Sequence, residues 1–141
     1  FAPTTTLQNG DVLEFYARSN NGFADRLQVR MSTSGASVNA GANATSTGDF
    51  GTLLLDINPA YNLTAFPNVW TRYSASVSGL GSPTSGRLAF RYFVENGGPS
   101  GANSDFMGID NVTLLRPPAV TCANTLSNIK VDITGGTGPY T

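Results

Sequence analysis

Histidine is absent from the 141 residues, and cysteine occurs once, as Cys122. The first absence removes the Ser-His-Asp and Cys-His nucleophile systems, the usual zinc ligand sets and the commonest general base. An enzyme built from this chain would have to work with carboxylates alone. The second absence leaves no internal disulfide. Charge is scarce as well. Only 12% of residues are charged and the formal net charge is -1, so there is no basic face for nucleic acid. No apolar run approaches the roughly 20 residues a membrane-spanning helix requires, and no charged start followed by an apolar stretch marks a signal peptide. Lysine is nearly missing, while Thr and Asn are plentiful. With so little cysteine, this composition suits a bacterial surface protein better than a secreted eukaryotic domain stapled by disulfides.

Helical periodicity is hard to find, whereas segments of period two recur between turn clusters, the pattern of a sandwich or barrel. Leu13, Phe15 and Ala17 share one face of residues 11–19, against Glu14, Tyr16 and Arg18. Residues 25–33 set Leu27, Val29 and Met31 against Arg26, Gln28 and Arg30. A Gly, Ala, Ser and Asn tract from Ser34 to Gly48 has little to bury and reads as a long surface loop. The run Leu53-Leu54-Leu55 is consistent with a strand covered on both sides, stopped by Asn58-Pro59. Alternation resumes with Tyr73, Ala75 and Val77, and Trp70 before them reads as a corner-filling core residue. Residues 87–95 place Leu88, Phe90, Tyr92 and Val94 inward and Arg87, Ala89, Arg91 and Phe93 outward.

The most informative stretch runs from Gly101 to Leu115. Met107 and Ile109 share a face, but Val112 and Leu114 join them only if one residue is inserted around Asp110 or Asn111, which predicts a β-bulge in a last strand. Arg116-Pro117-Pro118 then ends the pattern, because two prolines cannot donate to a ladder and favour an extended linker. Residues 119–141 supply one strand, about 127–133, with Ile129, Val131 and Ile133 on one face, followed by turn chemistry. One or two strands bury no core of their own. The tail is therefore the opening of a second β module or a strand that completes another subunit. The expectation is an all-β antiparallel jelly-roll β-sandwich over residues 1–116, then a proline linker and the first strand or strands of a further Ig-like β module over 117–141.

The stretches Leu7 to Phe15, Ala24 to Ser32, Gly48-Asp49-Phe50, Trp70 to Tyr73, Gly86 to Val94 and Gly101 to Leu115 together resemble the choice-of-anchor J domains. That family is related to the cleaved-adhesin and meprin/A5/mu type jelly rolls of secreted bacterial proteins. Members usually carry some tens of residues ahead of the point matched by Phe1-Ala2-Pro3, so the resemblance implies a domain lacking its first strands. Two sheet edges would then stand open to pairing. The segment from Ile133 to Thr141 is similar to the start of the immunoglobulin-like or adhesin repeats that follow such domains. The resemblance also implies an extracellular or cell-surface setting and a structural calcium ion supported by the acid of the last strand, here Asp110, with Asn111 where relatives often carry a second acid.

Asp105, Asn103 and Asp25 are further candidates for that ion, since calcium takes 6 to 8 oxygen ligands and tolerates carbonyls and glycine-rich loops. Capping of bulge amides is the competing role for Asp110. Tyr16, Phe93, Arg30 and Arg91, outward by alternation, are candidates for stacking on and bonding a carbohydrate. A pair such as Glu14 and Glu95 could act as acid and base only with carboxyls roughly 5 to 9.5 Å apart in a cleft, and cross-strand ion pairing with arginines on the same expected face is the ordinary explanation for them. No catalytic residue is assigned. The sequons at Asn43, Asn62 and Asn111 would be glycosylation sites in a eukaryotic secretory pathway. Two functions follow as expectations: a non-catalytic adhesion or filament-assembly module joining copies by β-strand addition, with Ile129, Val131 and Ile133 as donor residues, or a carbohydrate-binding module of a larger secreted hydrolase or peptidase.

Overall fold

The period-two faces close into two layers. A computed structural model describes residues 1–20 and 22–118, and within them lie β1 (Thr5–Leu7), β2 (Val12–Ser19), β3 (Leu27–Ser32), β4 (Thr52–Ile57), β5 (Thr71–Ser76), β6 (Thr84–Tyr92) and β7 (Met107–Leu115). They form a four-stranded sheet in the order β1-β6-β3-β4 and a three-stranded sheet in the order β5-β2-β7. Every pairing is antiparallel. The result is an all-β fold of two facing sheets, the arrangement of a β-sandwich.

Between the layers, the predicted inward residues of β2 (Leu13, Phe15, Ala17) meet those of β3 (Leu27, Val29, Met31), all of them buried. Leu7, Ile57, Phe66, Ala75, Val77 and Leu88 complete this core. Phe15 sits at its centre. Its ring meets Phe90 edge-on at 4.8 Å and stacks on Tyr73 at 5.7 Å. Burying a phenylalanine this fully contributes about 1.5–3 kcal/mol, and aromatic geometry adds to that.

The expected bulge is present. Glu14 faces Thr113 and Tyr16 faces Asp110, so Phe15 alone stands opposite both Asn111 and Val112. Asn111 absorbs the extra residue with a φ of 51°, a left-handed value that asparagine tolerates better than most side chains. A second bulge was not foreseen. Val29 pairs with Leu55 and Arg30 with Leu53, which leaves Leu54 as the extra residue of an edge strand. The three-leucine run of β4 is thus a bulged edge, with Leu53 exposed, and not a strand covered on both sides.

Two other departures share one cause. Residues 33–51 lie across the outer face of the four-stranded sheet, where Arg30 donates to the carbonyls of Phe50 and Gly51 and Arg91 donates to that of Ala44. Ala89, outward by alternation, is buried beneath this strap. Trp70 does the opposite. It is about half exposed at 47%, lying over Gly108 instead of filling a corner of the core.

The two long sides of the sandwich differ. On one side β4 packs against β5. On the other, β1 and β7 do not close, and a cavity of about 330 Å³ lies between them, lined by Ala2, Pro3, Thr5, Leu13, Leu88 and Leu114.

Candidate functional site

Directly opposed residues of neighbouring strands share a face, so the orientation of β7 follows from its register on β2. Ile109 pairs with the buried Ala17 and Leu114 with the buried Leu13, and counting back across the bulge puts Val112 on that same inner face. An inner face is normally covered. Ile109 is nevertheless 37% exposed and Val112 47% exposed, because the short β1 does not reach across to cover them. Among the described residues β7 has no strand beyond it, so nine residues of backbone donors and acceptors line an open edge beside an apolar cleft. Such an edge is a template for another strand. The other edges are less receptive. β1 has three residues, β4 is kinked by its bulge, and β5 alternates Arg72, Ser74 and Ser76 with its inner-face residues.

At the Met107 end of β7, two loops meet. Ala24 and Asn103 form a parallel bridge, and the Ser104 amide donates to the Ala24 carbonyl at 2.9 Å. This brings the chain before β3 against the chain before β7, and with it three of the four residues considered for calcium: Asp25, Asn103 and Asp105. Asp25 is wholly buried. Its Oδ1 accepts from the Tyr92 hydroxyl at 2.5 Å, and that hydroxyl lies 2.7 Å from Ser104 Oγ. Its Oδ2 has no hydrogen-bond partner. Burial holds the Asp25 carboxyl above the usual carboxylate range, and the nearby charge of Asp105 pushes the same way against the bond from Tyr92. The Tyr92 hydroxyl is in turn pushed up to about 12, by burial first and then by its bond to Asp25. Asn103 is engaged in fastening the loop, its Nδ2 donating to the Glu95 carbonyl at 2.9 Å.

Asp110 stands apart from these three. It lies exposed at the bulge, opposite Tyr16, and its Oδ1 accepts from the Asn111 amide at 2.7 Å. That bond is the amide-capping role. Among the described residues no three acidic or cysteine side chains gather into a metal cluster, at Asp110 or elsewhere.

The four carbohydrate candidates divide between the two outer faces. Arg30, Arg91 and Phe93 belong to the four-stranded side, under and beside the strap. There Arg91 lies 4.1 Å from the Phe93 ring centroid, and both arginines also donate to Gln28. A smaller cavity of about 100 Å³ opens there between Phe1, Phe50 and the two arginines. Tyr16 lies on the outer face of the three-stranded sheet, flanked across the strands by Arg72 and Asp110. Trp70 shares that face, with the Arg18 guanidinium 6.0 Å from its ring centroid. Sequence reading missed Trp70 here because nothing local says that the segment before β5 folds outward over Gly108.

Glu14 and Glu95 sit on different sheets. Glu14 on β2 is ion-paired to Arg72 of β5, while Glu95 follows β6 in the other layer. Ile129, Val131 and Ile133 lie outside the described residues, as does Cys122. No family model matches the chain, and neither does any curated protein or solved structure.

Proposed function

We propose that this chain is a non-catalytic adhesion or assembly module of the cell surface or extracellular space, which associates with neighbouring copies by β-strand addition. One observation carries the reading: the inner-face residues Ile109 and Val112 of β7 are exposed beside an open edge and an apolar cleft. An added strand would extend the ladder of β7 with main-chain bonds, and its alternate side chains would enter the cleft toward Leu13, Leu88 and Leu114. The occupant we assign is the 127–133 segment of a second copy, whose Ile129, Val131 and Ile133 have the required period. The jelly-roll connectivity and the likeness to choice-of-anchor J domains belong to this same reading, as does the opening of an Ig-like module after the prolines.

Sedimentation of the full chain and of a chain ending at Pro118 tests it. The full chain should form oligomers that grow with concentration, and the shortened chain should stay monomeric. Equal assembly by both would rule out donation by the tail.

A second reading rests on the outer face of the three-stranded sheet. Tyr16 and Trp70 are both partly exposed there, with Arg72 and Asp110 beside them, a combination suited to stacking on a sugar ring and bonding its hydroxyls. Glycan-array binding that is lost in Tyr16→Ala and Trp70→Ala would favour it. A blank array would count against it.

A further inference from the structure

We propose that the cavity between Arg30 and Arg91 binds a small organic carboxylate, an acid of about two to four carbons, beneath the strap of residues 33–51. The site lies on the outer face of the four-stranded sheet and is independent of strand addition at β7.

Two positive charges meet here without a negative one. Arg30 Nε and Arg91 Nη1 both donate to Gln28 Oε1, at 2.9 and 3.1 Å, so the two guanidiniums are held side by side on one neutral oxygen. Their other acceptors are neutral too, the carbonyls of Phe50 and Gly51 for Arg30 and that of Ala44 for Arg91. The neighbouring carboxylates are engaged elsewhere. Asp56 takes a two-pronged bond from Arg26 and a third from Gln28 Nε2, while Asp49 accepts from Ser37 and Asn39 within the strap. Burial and the charge of Arg91 accordingly hold the Arg30 guanidinium below its ordinary pKa. A bound anion would relieve the repulsion between the two arginines.

The geometry suits a carboxylate. Arg30 Nη2 and Arg91 Nε bond nothing among the described residues, which leaves N–H donors on both forks for a group whose two oxygens guanidinium matches in pairs. Both side chains are also fixed in advance, Arg30 by its two carbonyls and Arg91 by the Phe93 ring centroid 4.1 Å away, so binding has little left to order. Most of the remaining wall is carbon. Phe1 and Phe50, with ring centroids 5.0 Å apart, line it together with Ala40, Ala89 and Phe90. Such a lining favours an acid with an apolar tail over sulfate or phosphate. The volume of about 100 Å³ is below the roughly 150 Å³ that admits benzene, which excludes a sugar ring and leaves room for a short acid.

The test is an NMR titration of the ¹⁵N-labelled full chain with sodium propionate at constant ionic strength, with sodium sulfate as the comparison. The amides of Ala44, Phe50 and Gly51 should shift and saturate with a dissociation constant of about 1–10 mM, the weak binding expected of about five heavy atoms. Sulfate should bind at least about tenfold more weakly. Arg91→Gln should weaken propionate binding about tenfold or more, because one charged partner is lost. Ala40→Leu, an exposed position that should fold normally, should fill the cavity and do the same. Tyr16→Ala, on the other sheet, should bind as the unmodified chain does. Shifts that never saturate would overturn the proposal, as would equal binding of sulfate, undiminished binding in either Arg91→Gln or Ala40→Leu, or a matching loss in Tyr16→Ala.

Discussion

Arg116 closes a two-pronged bond on Asp11, a residue 105 positions earlier, with Nε and Nη2 each 2.9 Å from a carboxylate oxygen. Asp11 is fully buried at the turn between β1 and β2, where it also accepts from the Gln8 amide at 3.1 Å. The same Nη2 donates to the Thr6 carbonyl. The residue that follows β7 therefore pins β1 of the opposite sheet, and it does so on the side where the two layers do not close.

Asp11→Asn should lower the melting temperature by about 3–6 °C near neutral pH, since a charge-assisted fork becomes a neutral contact. The pH dependence has a definite sign. The bond from Arg116 holds the Asp11 carboxyl below its ordinary value of 3.8, so its contribution is complete above that value and is lost as pH falls through the lower folded value. The difference in melting temperature between the two proteins should stay constant from pH 7 to about 5 and shrink below about 4.

Gly86→Ala and Gly108→Ala should differ sharply. A Cβ at Gly86 would meet the Ser32 carbonyl oxygen at 2.2 Å, and backbone in a sheet cannot step aside. The cost should be about 1–3 kcal/mol or more in denaturant unfolding. At Gly108 the obstacle is the Trp70 ring at 2.8 Å, a half-exposed side chain that can swing away. There the loss should be small, and a change in tryptophan fluorescence should report the movement.

Phe15→Ala removes the ring that joins Tyr73 to Phe90 at the centre of the core. About 3–5 kcal/mol should be lost, read as a lower denaturant midpoint. Phe15→Leu should cost appreciably less, because it keeps much of the volume.

Val112→Lys places a charge on the uncovered inner face of β7. Because Val112 is already 47% exposed, unfolding should change by no more than about 0.5 kcal/mol. Light scattering should nonetheless show association reduced to the monomer, since a lysine on an edge opposes strand addition. Unchanged association would remove β7 as the accepting edge.

The strands β2, β3 and β5 were legible because one face is buried and the other wet, which writes the period directly into Leu13, Phe15, Ala17 and their counterparts. The bulge at Asn111 was legible for the same reason, as a slip in that period. Leu53-Leu54-Leu55 misled because a bulge on an edge strand and full burial of a strand both produce consecutive apolar residues. β1 went unseen, since three residues carry no period. The strap over Arg30 and Arg91 could not be read either, because it depends on carbonyls of Phe50, Gly51 and Ala44 that have no side-chain signature. Of the candidate calcium ligands, the approach of Asp25 to Asp105 is set by the bridge from Ala24 to Asn103, a contact nearly eighty positions long, about which local pattern is silent.

The unequal flanks of the sandwich bear on the geometry of the proposed assembly. Among the described residues β4 packs against β5 on one flank, while β1 and β7 leave the other unclosed around the apolar cleft. Under the proposed strand addition, one accepting seam per copy would make a row of copies directional and unbranched.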